Sequence, residues 1–146
     1  MKISKALKKI SKIKGEISEL RSRIDEANVA LEDNEFQEDA VALLEEYRNK
    51  QAILIDLKKS VMEANIKSGK YEAILLLAEK KSEVVLLKSL DIKEGKHEGE
   101  GFGDNTLYNY RSRITRTMRN DAVKHLEDEI EDLRDELDEF NATHVI

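Results

Sequence analysis

From Ile13 onward the apolar residues of the N-terminal segment advance in steps of 4, 3, 4, 3 and 4, through Ile17, Leu20, Ile24, Ala27 and Leu31. Alternating steps of three and four place side chains on one narrow stripe of an α-helix, the seam of a coiled coil. The residues from Val123 through Leu126, Ile130, Leu133 and Leu137 to Phe140 repeat the pattern with steps of 3, 4, 3, 4 and 3. No proline interrupts either run. Such a chain is confined to long helices that bury a seam rather than a broad face. Only 5% of residues are aromatic and 38% are charged, which suits rods better than a thick single-chain core. Partner helices, and hence a homo-oligomer, are expected to cover what one copy leaves open.

The length of 146 residues predicts one domain, 1–146, organised as an elongated antiparallel helical bundle or coiled coil of about four helices. The first helix is expected over about 3–31, although Leu7, Ile10 and Ile13 are separated by two successive steps of three, a local overwinding of the stripe. Asp33 and Asn34 in "EDNEFQED" mark a turn, because their side chains compete for backbone hydrogen bonds. A second helix then runs over about 38–66, with Val41, Leu44, Tyr47, Leu54, Leu57, Val61 and Ala64 on its seam, and Gly69 stops it. The third, about 71–92, is apolar over more than one face through "AILLLA" and "VVLL", and should lie centrally or be covered by another subunit. Four of six glycines crowd into a loop over 93–105. The stretch 107–118 is rich in Thr, Tyr and Ile and reads as extended or β, before a last helix capped at Asn120 or Asp121 and running over 121–141.

Charge is segregated as sharply as hydrophobicity. Residues 1–14 carry six lysines and no acid, whereas residues 127–139 carry nine acids and one arginine. Cations at a helix start and anions at a helix end both oppose the helix dipole. Antiparallel packing of the first helix against the last, within or between chains, would offset that cost; a simply solvated charged face is the alternative.

Several function classes find no support. The chain has no cysteine, which excludes disulfides and thiolate chemistry and favours the cytoplasm. The Lys-rich start lacks the apolar core of a secretion signal, and no apolar run approaches the length of a membrane span. His97, His125 and His144 have no metal-ligand spacing, "GEGFGD" lacks the pattern of a phosphate-binding loop, and no acid–base dyad stands out. No enzyme, cofactor, metal or membrane partner is expected.

The stretch "NTLYNYRSRITRTMRND" departs from what a helical rod requires. Four of the eight arginines fall within residues 111–119 of a chain whose net charge is −6. The planar guanidinium group of arginine grips phosphate through two parallel hydrogen bonds, a geometry lysine cannot offer. Arg111 and Arg113 are therefore assigned to phosphate, with Arg116 and Arg119 assisting. Tyr108 or Tyr110 would stack on a base, and Asn109 and Ser112 would supply adaptable hydrogen bonds. In an extended segment Arg111 and Arg113 would share a face with Asn109, opposite Tyr108 and Tyr110. The competing expectation is that these arginines neutralise acidic helices. Long nucleic acid is disfavoured by the acidic net charge.

"MKISKAL" at the start, two helices, a third, then a short basic stretch before a last amphipathic helix resembles the septicolysin-like family of small helical bacterial and phage proteins. The family motif R-S-E-I is matched at Arg111, Ser112 and Ile114, with Arg113 in place of Glu. Asn65 matches the final Asn of I-N-x-T-N, and Asn141 an Asn that relatives follow with Trp where this chain has Ala142. The resemblance implies a polar motif set in a generic helical scaffold and adds Asn65 to the candidate pocket. The expected function is a non-enzymatic oligomer that sequesters a small anionic nucleotide or nucleotide-derived signal, as a phage anti-defence protein would. The alternatives are an acidic interaction module that blocks a basic partner, and a purely structural coiled coil.

Overall fold

The computed structural model describes residues 1–146. It is mainly helical, in the order α1 (Ile3–Ala27), α2 (Ala40–Lys67), α3 (Lys70–Ser89), β1 (Gly95–Glu98), β2 (Leu107–Tyr110) and α4 (Arg116–Thr143). The expected class, helices with a short β segment, is the one found. Contacts group the chain into two compact units, Met1–Tyr71 with Asp138–Ile146, and Glu72–Leu137. No helix is long and apolar enough to cross a membrane.

In the first unit α1 and α2 run antiparallel. Their seams meet in two clusters, one of Leu20, Ala27 and Leu43 near the turn, the other of Ile3, Ala6, Ile10, Val61 and Ala64 at the opposite end. Partly buried Leu54, Leu57, Phe140 and Ile146 complete the second cluster. Ile3 has no exposed surface at all, because residues 138–146 fold over the start of α1. There the Ile3 amide donates to the His144 carbonyl at 3.0 Å, and Lys2 pairs with Val145 as an isolated antiparallel bridge. Lys2, at the N-cap of α1, makes no side-chain cap bond, so this tail stands where a capping side chain would be.

Three ends of helices depart from expectation or sharpen it. α1 stops at Ala27 rather than continuing to Leu31, and Val29 and Leu31 stand exposed. Beyond Ala27 the stripe has nothing to pack on, since α2 begins only at Ala40. Asp39 caps α2, its Oδ1 accepting from the amides of Val41 and Ala42. Gly69, at φ 74°, ends α2 with the left-handed turn that glycine enters without a Cβ clash. Ion pairs fix the register: Lys50 Nζ meets Glu16 Oε2 at 2.7 Å, and Arg23 grips Glu38. Both carboxyls consequently lie below their ordinary range, chiefly through these hydrogen bonds.

In the second unit α3 and α4 are linked by Lys80 to Glu129 at 2.7 Å and Lys88 to Glu127 at 2.9 Å. Val123, Leu126, Ile130 and Leu137 of the α4 heptad are buried as expected. Within one copy α3 does not take the central position that was one of its two expectations. Ala73 is its one buried residue, while Leu75, Leu76, Val85 and Leu86 remain exposed.

The segment 93–105 corrects the expectation of a loop. Its residues Gly95–Glu98 form β1, which pairs antiparallel with β2 so that Gly95 faces Tyr110 and Glu98 faces Leu107. "GKHE" has little intrinsic strand preference; cross-strand pairing with the β-prone "LYNY" supplies what local propensity lacks. The expected extended stretch 107–118 also shortens. β2 ends at Tyr110, and α4 starts at Arg116, well before Asp121. Thr115 is the reason: its Oγ1 accepts from the Met118 amide at 3.2 Å, a side-chain cap of the kind assigned to Asn120 or Asp121 from sequence.

Candidate functional site

The arginine stretch sits where the hairpin hands over to α4. At the hairpin base the Ser112 hydroxyl accepts from the Lys93 amide at 3.0 Å and donates to the Lys93 carbonyl at 2.9 Å. Ser112, expected to touch a ligand, is instead committed to closing this base. Arg111 and Arg113 flank it and remain exposed. Together with Leu90, Asp91, Ile92 and Ile114 these residues line a hollow of about 320 Å³.

Lys93 organises the hairpin above the hollow. Its ammonium lies 5.2 Å from the centre of the Tyr110 ring, pairs with Glu100 and approaches Asp91 at 3.7 Å. The Glu100 bond is the main cause of a Lys93 pKa above, and a Glu100 pKa below, the ordinary values. Asp104 pins the loop between the strands. Its Oδ1 accepts from the Thr106 amide at 3.0 Å and its Oδ2 from the Tyr108 hydroxyl at 3.3 Å, and the Thr106 bond leads in holding its carboxyl below the ordinary range. A Cβ at Gly99 would meet the Asp104 carboxylate, so a larger residue there would oblige that side chain to shift.

The side chains expected to bind a ligand are therefore only partly assembled. Tyr108 and Tyr110 share a face of β2 as the alternation required, with ring centres 6.4 Å apart. Tyr110 is engaged by Lys93 and by the edge of His97 at 5.9 Å, and Tyr108 is the more exposed of the two rings. Asn109 is exposed on the strand. Arg116 and Arg119 lie on the first turn of α4, not on a strand, three residues apart and hence on neighbouring positions of one helical face. Arg119 Nε donates to Asn120 Oδ1 at 2.7 Å. Asn65 lies near the end of α2, in the first unit, where its carbonyl accepts from Ser68 Oγ at 3.2 Å.

No carboxylate of the chain forms an ion pair with Arg111, Arg113, Arg116 or Arg119. On α4, Glu127 pairs with Lys88, and Glu129 pairs with Lys80 and approaches His125. The first turn of α4 has no acidic residue either, so cationic side chains stand beside the positive end of the helix dipole. Of the four arginines, Arg116 and Arg119 lie on this first turn, and Arg111 and Arg113 line the hollow that precedes it.

Two features escaped the sequence. Lys93 carries no motif, and its role depends on partners 7 and 19 residues away, Glu100 and Ser112. The second is a hollow of about 680 Å³ in the first unit, lined by Lys5, Lys8, Lys9, Lys12 and Lys50 over Ile13 and Ile53. The lysine spacing on α1 was visible beforehand, whereas the contribution of α2 needed the fold. No family model, curated protein or solved structure matches this chain.

Proposed function

We propose that the chain is a non-catalytic, oligomeric binding protein that holds a small phosphate-bearing anion, of the nucleotide or nucleotide-derived class, at the β2–α4 junction. The observation that carries this reading is the set of four arginines in residues 111–119 with no carboxylate partner in the chain. Arg111 and Arg113 flank the hollow and present planar donor pairs to phosphate oxygens; Arg116 and Arg119 add charge from the start of α4. Exposed Tyr108 offers a face for a base, as stacking needs no particular sequence of hydrogen bonds. Arg111, Ser112 and Ile114, which match the R-S-E-I motif of the septicolysin-like resemblance, line this hollow, whereas Asn65 of the same resemblance does not. Sequestration of a signalling nucleotide in a cytoplasm, the use a phage would have for it against nucleotide-based defence, requires binding groups and no catalytic ones.

Titration calorimetry with a panel of mononucleotides and cyclic dinucleotides tests the reading. Binding to at least one is expected, with a loss of about 1.5–3 kcal/mol for each charge-assisted contact removed by Arg111→Ala and Arg113→Ala. Absence of binding across the panel, or binding unaffected by the double substitution, refutes it. The acidic-interaction reading draws on a separate observation: Asp128, Glu131, Asp132 and Asp135 are exposed on α4 and form no ion pair.

A further inference from the structure

The basic face of α1 and the acidic face of α4 are built to one register. Lys5, Lys8, Lys9 and Lys12, at positions i, i+3, i+4 and i+7, lie along one side of α1, and all four line the 680 Å³ hollow. Lys5, Lys8 and Lys9 have no ion-pair partner, and Lys12 has only Glu16 at 3.8 Å. On α4 the acids Asp128, Glu131, Asp132 and Asp135 are likewise exposed and unpaired. Two antiparallel helices placed side by side bring together residues whose numbers share a constant sum. At a sum of 140 Lys5 meets Asp135, Lys8 meets Asp132, Lys9 meets Glu131 and Lys12 meets Asp128. The same alignment sets Lys2 opposite Asp138 and, with the signs reversed, Glu16 opposite Lys124. One turn further the match ends, with Glu19 opposite Asp121.

Glu16 is already held by Lys50 at 2.7 Å, so Lys124 would join that pair, and the alignment rests on the four lysines. A shift of the alignment by one heptad, to a sum of 133, keeps Lys5 opposite Asp128 and Lys12 opposite Asp121 but sets Lys9 against Lys124 and Lys8 against His125, so fewer lysines find an acid. The matched stretch from Lys2 to Glu16 spans roughly 22 Å of helix at 1.5 Å per residue. Apolar surface accompanies it: Ile53 in the floor of the lysine hollow is 43% exposed, and Val85 on α3 is 68% exposed.

The geometry points to a second copy of this chain as the occupant of the lysine hollow, its α4 docked antiparallel to α1 at the sum-140 register. The inference rests on the oligomeric part of the functional reading and names the surface that makes the oligomer. Each copy carries one basic and one acidic stripe, so either copy can supply either half of the contact. Docking also answers the dipole conflict, since lysines at a helix start and acids along a later helix gain opposite charges at close range.

The test is sedimentation analysis of the full chain and two charge-reversed variants. One carries Lys5→Glu, Lys8→Glu and Lys12→Glu; the other carries Asp128→Lys, Asp132→Lys and Asp135→Lys. The unaltered chain should self-associate, and more weakly by about tenfold or more as salt rises from roughly 0.01 M to roughly 1 M, where the screening length falls from about 30 Å to about 3 Å. Each variant alone should be monomeric, and an equimolar mixture should form a heterodimer, because the reversed stripes complement each other. Heterodimer formation also shows that both variants fold. Self-association unchanged in either variant, or no mixed species, overturns the docking while leaving the oligomeric reading intact. A monomeric unaltered chain at low salt overturns both, and a lysine-reversed variant that loses affinity for polyphosphate with its mass unchanged assigns the hollow to another anion and overturns the docking too.

Discussion

Replacing Ser112 by Ala removes the one side chain that closes the base of the hairpin. Its hydroxyl makes two hydrogen bonds with the Lys93 backbone, at 3.0 Å and 2.9 Å. Each such bond contributes about 0.5–1.5 kcal/mol net, and water reaches this part-buried site, so the loss should fall near the lower end, about 1–2 kcal/mol in all. Because the hairpin makes few other tertiary contacts, the loss should appear as local opening rather than global unfolding. A change of about 1.4 kcal/mol is tenfold in an equilibrium, so β1 and β2 amides should exchange with solvent roughly 5- to 30-fold faster. Amide exchange read by mass spectrometry on peptides spanning 93–112 measures this, with α1 and α2 peptides as the internal reference. Ser112→Thr keeps the hydroxyl and should retain most of the protection. The reasoning fails if exchange in 93–112 is unchanged, or if α1 and α2 lose protection equally. Arg111 and Arg113 flank the lost group, so anion affinity should weaken along with hairpin protection.

Ile3→Ala should cost about 2–5 kcal/mol in chemical denaturation, since Ile3 is wholly buried and no neighbour can collapse into the space without moving; Ile3→Val should cost about 0.5–1.5 kcal/mol. Gly99→Ala should displace the Asp104 carboxylate that its new Cβ would meet and weaken the bond to the Tyr108 hydroxyl, and near-ultraviolet dichroism of Tyr108 should change while helix content stays constant. Acid titration should destabilise the first unit: Glu16 and Glu38 have folded pKa values below their ordinary 4.5. Groups depressed in this way contribute stability that is present above the ordinary value and lost as pH falls through the folded one. The midpoint of thermal unfolding should therefore drop below about pH 4.5, and Lys50→Met with Arg23→Met should flatten that drop.

What the sequence made legible was whatever depends on neighbours three or four residues away. The seams of α1 and α4, the stop at Gly69 and the arginine cluster all belong to that class. What it hid depends on residues distant along the chain. Strand β1 exists through its partner at 107–110, and Ser112 looks like a ligand group until Lys93, 19 residues earlier, is placed beside it. The start of α4 was misread for a different reason. Thr115 and the Asn120–Asp121 pair are both competent caps, and the β preference of Thr, Tyr and Ile favoured the later one. Leu31 fits its heptad perfectly well and is still exposed, which shows that a stripe specifies a helix only as far as something faces it.

The tail that covers Ile3 also sets an order of assembly. Phe140 and Ile146 belong to the cluster that Ile3 begins, so α1 and α2 can zip together at their turn end long before the other end has its full set of side chains. Contacts across so long a stretch of chain form late, because closing the intervening loop is costly. During synthesis the α1–α2 hairpin should therefore spend the time needed to translate the second unit with Ile3 uncovered, bare to chaperones. A ribosome-stalled chain ending at residue 137 should bind an apolar-surface dye that the full chain excludes, and equal dye binding by the two would show that the tail arrives on a core already closed.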